Sequence, residues 1–348
     1  MILDGCDIPI VLAPLAGGPS TPELAAAVSG AGGLGFLAAG YLSAAELASR
    51  RQRLDELTGR PFGVNVFVSG PAGDAARVRR YAAEIEADAA AAGARLGEPR
   101  HDDDDWDAKI GYLTAAPVAV VSFTFGIPDP EVIAALRAAG TEVWVTVTSP
   151  DDALRAAAAG ADLLVAQGAE AGGHRGGVSD APEDATGLIA LLQLITARTA
   201  VPVIAAGGIA TGRAVAASLC LGARAAALGT AFLDCPEAGT AKAQRETLHG
   251  DAPTRLTRAF SGRTARGIEN DFLRAHTASA PPAYPEVHHL TSPMRKAARQ
   301  AGQAEYLNLW AGQAYPLTAA VPAATLVTGL WQQAQTALNR VAGGFPSP

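Results

Sequence analysis

The stretch VPVIAAGGIATGRAVAASLCLGARAAALGT, from Val201 to Thr230, contains two short apolar runs with a helix-like segment between them. The runs are Val201 to Ala205 and Ala223 to Leu228, and Thr211 stands where it can cap the helix. Neither run alternates strictly between apolar and polar residues, which is typical of strands buried on both faces. The stretch therefore predicts a strand, a helix and a second, parallel strand.

The same pattern extends toward the N-terminus, where six more apolar runs occur and most are followed by a helix-like segment. Helix start signals support this reading: Thr21 precedes Pro22, Ser43 and Glu46 have capping-box spacing, and Ser149 precedes another proline. Eight such units favour a closed (β/α)8 TIM barrel, an α/β fold, although an open doubly wound sheet would give a similar pattern. The six runs are Ile8 to Ala13, Leu34 to Ala38, Phe62 to Phe67, Val118 to Phe123, Val143 to Val147 and Ala161 to Ala166.

Two segments interrupt this pattern. Residues 73–117 contain an Ala-rich helix and the acidic run from His101 to Trp106, which we interpret as a solvated loop. A divalent-metal site is the alternative, but consecutive aspartates do not readily converge on one ion. Residues 234–305 are polar and rich in Arg and His, and we expect a smaller, mainly helical domain there that covers the active site. The barrel would then comprise residues 1–233 and 306–348.

The composition indicates an ordinary globular protein that acts on a small molecule. The 348 residues are 49% hydrophobic and 18% charged, enough for one barrel with an appendage. A net charge of −7 disfavours nucleic acid or an anionic membrane surface as a partner. Three widely spaced cysteines indicate buried, reduced thiols, and no run is long enough to cross a bilayer, so we expect a cytoplasmic protein.

The active site of such a barrel lies in the loops at the C-terminal ends of its strands, and phosphate is commonly held after the seventh and eighth strands. Gly207-Gly208 and Gly229-Thr230 occupy those two loops. Glycines allow backbone N–H groups to approach a phosphate closely, and Thr230 adds a hydroxyl donor. Either pair alone could simply make a tight turn. Their occurrence together favours a bound phosphate.

The most unusual loop follows the sixth run and reads Gln167-Gly-Ala-Glu-Ala-Gly-Gly-His-Arg-Gly-Gly177. A lone His is usually structural, but His174 lies at the catalytic face between glycines that leave its imidazole uncovered. Imidazole can hold an anion when protonated or remove a proton when neutral. The other five histidines have no comparable setting and no zinc-site spacing, so we interpret His101, His249, His276, His288 and His289 as structural.

These segments resemble the nitronate monooxygenase family, formerly called 2-nitropropane dioxygenases, in its bacterial class I form, over nearly the whole chain. Its opening motif is similar to Pro9-Ile-Val-Leu-Ala-Pro-Leu-Ala-Gly17 with Thr21-Pro-Glu-Leu24 and Gly32-Gly-Leu-Gly35, although a Met is common where this chain has Leu15. Near the end, Glu305-Tyr-Leu-Asn-Leu-Trp-Ala-Gly-Gln-Ala-Tyr315 resembles the class I motif beside the flavin, where a Trp/Tyr packing stripe is the alternative.

The resemblance implies an FMN-binding barrel that oxidises alkyl nitronates such as propionate 3-nitronate, through a flavin semiquinone, with O2 to a carbonyl compound and nitrite. His174 would be the catalytic residue, protonated to orient the nitronate or neutral as a base toward a nitroalkane. A homodimer is compatible with the sequence. The implied flavin contacts are Asn65, Gln167, Gly172, Gly208, Ala227, Leu228, Gly229 and Thr230.

Three other functions stay open from the sequence. An FMN-dependent enoyl-acyl-carrier-protein reductase shares the Glu-Ala-Gly-Gly-His core, although Gln167 and Arg175 fit the monooxygenase pattern better. A tailoring oxidase for a larger natural product would need a wider pocket. A non-enzymatic barrel that binds flavin or phosphate would leave His174 as a loop residue.

Overall fold

The computed structural model describes residues 1–181 and 185–343. All eight predicted strands form one parallel sheet, in the order β1-β9-β8-β6-β5-β4-β3-β2. A parallel bridge between Val11 and Leu34 joins its first and last members, so the sheet closes into the predicted barrel. The strands are β1 (Ile10–Leu12), β2 (Gly35–Ala38), β3 (Phe62–Phe67), β4 (Val120–Thr124), β5 (Glu142–Val147), β6 (Leu163–Gln167), β8 (Val203–Ala206) and β9 (Ala225–Leu228).

Helices surround the barrel, and the predicted start signals begin four of them. The side-chain oxygens of Thr21, Ser43, Ser149 and Thr211 each accept a backbone N–H of the first helical turn. The C-terminal α12 packs on α8 and α1 and completes the ring. These helices are α1 (Pro22–Gly30), α2 (Ala44–Leu57), α4 (Trp106–Ala115), α5 (Pro130–Ala138), α6 (Pro150–Ala159), α7 (Leu188–Thr196), α8 (Gly212–Cys220) and α12 (Ala323–Ala342).

The alternation of side chains along each strand divides the core into two layers. One layer fills the barrel interior and includes Phe36, Trp144 and Ala227. The other lies between the strands and the helices and includes Val64 and Leu228. Residues next to each other in a strand therefore belong to different layers, and this decides which of them can face a ligand in the barrel mouth.

A second layer of chain covers the C-terminal ends of the strands. Its antiparallel sheet has the order β10-β11-β7, where β7 (Gly173–His174) comes from the loop after β6. Its core also contains α3, because Tyr81 and Ile85 cluster with residues 259–294. The other elements of this cover are β10 (Thr254–Thr257), β11 (Ala265–Ile268), α3 (Ala75–Ala91), α9 (Lys242–Thr247), α10 (Asp271–His276) and α11 (Glu286–Ala301).

The segment expected to be a small, mainly helical domain thus contains three helices and two strands. Its boundaries at residues 234 and 305 stay a prediction. All three thiols are free, but only Cys235 is buried, while Cys220 is exposed on the last turn of α8. Among residues 1–181 and 185–343, no helix is long and apolar enough to cross a membrane.

Candidate active site

A large cavity lies between the C-terminal ends of the barrel strands and the cover, with inward-facing apolar side chains such as Trp144 at its floor. All the residues expected at the site line this cavity, except Leu228. Leu228 points outward into the layer between strand and helices, because its neighbour Ala227 points inward. The lining residues are Asn65, Gln167, Gly172, His174, Gly208, Ala227, Gly229 and Thr230.

One end of the cavity can hold an anion. The backbone N–H groups of Gly208, Gly229 and Thr230 donate no hydrogen bond to any described residue, and all three residues face the cavity. Gly207 and Gly208 adopt positive φ angles of 110° and 69°, which only glycine adopts readily. Free N–H groups converging from two loops form the kind of concave site that binds phosphate.

The glycine at position 172 is needed for packing. A Cβ added there would lie 2.4 Å from the backbone nitrogen of Gly312. That nitrogen donates to Thr230 Oγ1 at 2.9 Å, so the returning C-terminal segment closes directly over the β9 loop. In the same segment Trp310, Gly312 and Ala314 line the cavity.

The residues of that segment whose roles were open do not line the cavity. The hydroxyl of Tyr315 donates to the carbonyl of Ala252 at 2.7 Å, and Gln313 N–H donates to the carbonyl of Glu170 at 3.0 Å. Tyr306 packs in the cover. These residues hold the segment in place, as the packing-stripe alternative expects.

Two amide side chains face the cavity from strand ends. Asn65 is buried, and its Nδ2 donates to Ser122 and to Thr124 Oγ1, while its Oδ1 accepts no hydrogen bond from a described residue. Gln167 Nε2 donates to the carbonyl of His174 at 3.1 Å, and its Oε1 accepts Gly176 N–H at 2.8 Å. Gln167 therefore holds the histidine loop, while Asn65 keeps one acceptor free toward the cavity.

His174 lies in a largely aromatic part of the cavity. Its Nε2 is 2.9 Å from the hydroxyl oxygen of Ser261, and the rings of Phe125, Tyr284 and Trp310 surround it at centroid distances of 5.5, 5.8 and 5.5 Å. Burial, with the positive charges of Arg263 and Arg295, lowers the pKa of His174 to about 3. The imidazole is therefore neutral at physiological pH, and the same shift makes it a weaker base than a free imidazole.

Hydrogen bonds to the cover hold the backbone of this Gly-rich loop. Arg266 Nε donates to the carbonyl of Ala169 at 2.9 Å, and Arg263 Nε donates to the carbonyl of Arg175 at 3.1 Å. Arg175 is buried and donates to the carbonyl of Gly168 at 2.8 Å. The backbone of the loop is thus held by guanidinium groups from two directions, and His174 is presented in one orientation.

Glu170, also in this loop, has a different task. Its carboxylate oxygens each accept Leu188 N–H at 3.0 Å, at the start of α7. A carboxylate at a helix N-terminus is favourable because it accepts free N–H groups there. Glu170 and Arg175 therefore shape the loop and do not line the cavity.

Sequence reasoning missed a second set of cavity residues. His288, which we expected to be structural, lines the cavity, and so do Tyr41 and Arg295. The rings of Tyr41 and His288 stack at a centroid distance of 4.0 Å. Arg295 donates to Nδ1 and to the carbonyl of His288 at 3.2 and 2.9 Å. The only signal for this set was the richness of the segment in Arg and His.

The acidic run supports this set and is not simply a solvated loop. Asp104 Oδ1 accepts Tyr41 N–H at 2.8 Å, and its Oδ2 pairs with Nζ of the fully buried Lys109 at 2.7 Å. Tyr41 has a φ of 68°, so this hydrogen bond helps to hold a conformation that is costly for a side-chain-bearing residue. Asp105 accepts Ala44 N–H at 2.7 Å. The aspartates therefore point to different partners.

Comparison with known proteins agrees with this arrangement. The sequence model of the nitronate monooxygenase family matches residues 5–333. A nitronate monooxygenase of Paraburkholderia phytofirmans is 40% identical over 97% of this chain and 95% of its own, and one of Pseudomonas aeruginosa is 41% identical over 94% and 97%. A solved structure of nitroalkane oxidase from Streptomyces ansochromogenes superposes with a TM-score of 0.95 at 50% identity, over 99% of both chains.

A more distant solved structure, FabK from Thermotoga maritima, has a TM-score of 0.78 at 27% identity, over 98% of this chain and 97% of its own. Of these two solved structures, the nitroalkane oxidase is therefore the more similar to this chain in both sequence and fold. The chain belongs to the nitronate monooxygenase family, a family of flavin-containing oxidoreductases.

Proposed function

We propose that this protein uses FMN to oxidise alkyl nitronates, such as propionate 3-nitronate, with O2 to a carbonyl compound and nitrite. The observation that carries the proposal is a single cavity that is lined both by glycine loops with free backbone N–H groups and by a neutral imidazole. The first feature suits a phosphate, and the second suits a reacting small molecule.

The residues present fit FMN. Its phosphate would accept N–H groups of Gly208, Gly229 and Thr230, which otherwise donate to no described residue. Asn65 Oδ1 offers a free acceptor for an N–H group of the flavin ring. Gly172 and Ala227 leave space for the flavin in their part of the cavity, because their side chains are absent or small. Leu228 would contribute only through its backbone. When bound, FMN supplies the electron-accepting chemistry, which no side chain can provide.

The chain's own contribution is to orient the substrate and to handle its proton. Neutral His174 is a weak base because of its lowered pKa, so it would accept the α-proton of a nitroalkane poorly, and we favour the nitronate itself as the substrate. For a substrate that is already a nitronate, the same imidazole positions the reacting carbon. Phe125 and Trp310 on either side restrict water around the imidazole.

The test uses purified, flavin-loaded protein. We expect the absorbance bands of bound FMN, and anaerobic mixing with propionate 3-nitronate should bleach them, with nitrite and consumed O2 appearing under air. Oxidation of NADH driven by an enoyl thioester, with no response to nitronate, would instead support the reductase. Bound flavin that responds to neither substrate, or absence of flavin altogether, would support the non-enzymatic barrel. A cytoplasmic location and a homodimer stay predictions of the sequence.

A further inference from the structure

A nitronate is an anion, but the imidazole beside it carries no charge. The pKa of His174, at about 3, leaves it neutral throughout the physiological range. An anion transferred from water into a partly apolar cavity needs a compensating positive charge or a set of strong donors. On the proposed function, on which this inference rests, another side chain of the cavity must provide that charge.

Three arginines lie in or near this part of the cavity and are candidates for the positive charge. Arg263 does not line it: its guanidinium lies over the ring of Phe125 and donates to loop carbonyls. Arg299 lines the cavity but is exposed, and it makes only 3.4 Å contacts with the carbonyl of Gly17. Arg295 also lines the cavity, and it lies close enough to His174 to depress the pKa of that imidazole.

Arg295 is held firmly and yet keeps donors free. Its Nε donates to Thr291 Oγ1 at 3.0 Å, and one of its two terminal nitrogens, Nη2, donates to His288. Nη1 donates to no described residue. No Asp or Glu in the described ranges forms an ion pair with this guanidinium. Tyr41 and Tyr284 face it from other elements and Arg299 from its own helix, and none of these groups is an anion at neutral pH.

We propose that Arg295 is the substrate-binding cation of this enzyme, with the free Nη1 donating to the oxygens of the anionic nitro group. A partly buried guanidinium without a carboxylate partner is costly for a structural role alone, and a bound anion removes that cost. Thr291 and His288 fix the guanidinium plane, so little side-chain entropy is lost when the anion binds. His288 and Tyr41 thereby act as positioning residues for Arg295.

The test compares Arg295→Met with Lys296→Met in flavin-loaded protein. Lys296 is the next residue on α11 and is exposed, so its variant removes the same charge without touching the cavity. Loss of a charge-assisted hydrogen bond predicts that KM for propionate 3-nitronate rises about 10- to 100-fold in Arg295→Met. Flavin content should not change. Lys296→Met should keep the wild-type KM, and Arg295→Lys should recover part of the affinity.

A non-reacting probe separates this inference from the proposed function. Sodium nitrate is a planar anion with the same O–N–O group, and its dissociation constant can be followed by the shift it causes in the flavin absorbance. We expect nitrate to bind the wild type and to bind Arg295→Met at least about 10-fold more weakly. Wild-type nitrate affinity and nitronate KM in a flavin-loaded Arg295→Met would overturn the role of Arg295 and leave the function intact. Nitrate binding that depends on Arg295, in a wild-type protein that does not turn over nitronate, would overturn the proposed function and leave the anion-binding role of Arg295 intact.

Discussion

Replacement of Lys109 by Met should destabilise the protein, because it leaves the carboxylate of Asp104 without its partner. The Lys109 side chain is completely buried, whereas that of Asp104 keeps 19% of its surface exposed. Breaking a buried ion pair from one side costs about 3–5 kcal/mol, and the partial exposure of Asp104 reduces this to about 2–3 kcal/mol. Urea unfolding of the flavin-loaded protein measures the change. Replacing Arg53 by Met, in the exposed pair with Glu23, is the control and should have little effect.

A double-mutant cycle tests the reasoning further. Asp104→Asn keeps the acceptor for Tyr41 N–H, so the double variant Asp104→Asn with Lys109→Met should lose less stability than the two single variants added, by about 1–2 kcal/mol. Burial already raises the pKa of Asp104, and loss of Lys109 should raise it more. Because a raised folded-state pKa favours folding at low pH, the cost of Lys109→Met should shrink from pH 8 to pH 5. Additive free energies, or a cost that does not vary with pH, would refute the buried-pair account.

Three further outcomes follow from the site. Thr230→Val removes the acceptor for Gly312 N–H and a hydroxyl near the phosphate end, so it should retain less FMN on dialysis, whereas Thr230→Ser should retain the wild-type amount. Gly172→Ala places a Cβ against Gly312 and should lower stability by about 1–3 kcal/mol in thermal unfolding, whereas Gly111→Ala, with open space around it, should be neutral or stabilising. The folded-state pKa of His174 lies below its ordinary value of 6.5, so its stabilising contribution is complete above pH 6.5 and declines toward pH 3. His174→Ala should therefore reduce, by about 2 kcal/mol, the free energy of unfolding that the protein loses between pH 8 and pH 5. An unchanged dependence of this free energy on pH would contradict the lowered pKa of His174.

The barrel could be predicted from the sequence because its determinants are local. Each strand is an apolar run, and each of four helices begins at a capping residue such as Thr21 or Ser43, which acts within one turn. The catalytic face followed from the rule that parallel strands bring their C-terminal ends together. Alternation along β9 directs the Leu228 side chain away from the cavity, so its expected flavin contact stays a prediction that only its backbone can fulfil.

The second half of the site depends on contacts between distant parts of the chain. Ser261 and Arg295 reach the cavity only because the cover folds back over the barrel, and the pattern of α11 does not indicate which of its polar residues face inward. Asp104 holds Tyr41 across 63 residues, so the acidic run could be interpreted only by its composition. Local propensity carries no information on such pairings, which tertiary packing decides.

The central claim, that His174 serves nitronate oxidation in an FMN site, is tested most directly by one measurement on His174→Ala. The variant and the wild type, matched for bound FMN by absorbance, are mixed with propionate 3-nitronate, and initial rates of O2 consumption and nitrite release are compared. We predict that the variant keeps FMN and loses at least about 100-fold in turnover, because a substrate misplaced by about 1 Å can lose that much rate. Wild-type rates from FMN-loaded His174→Ala would contradict the assignment.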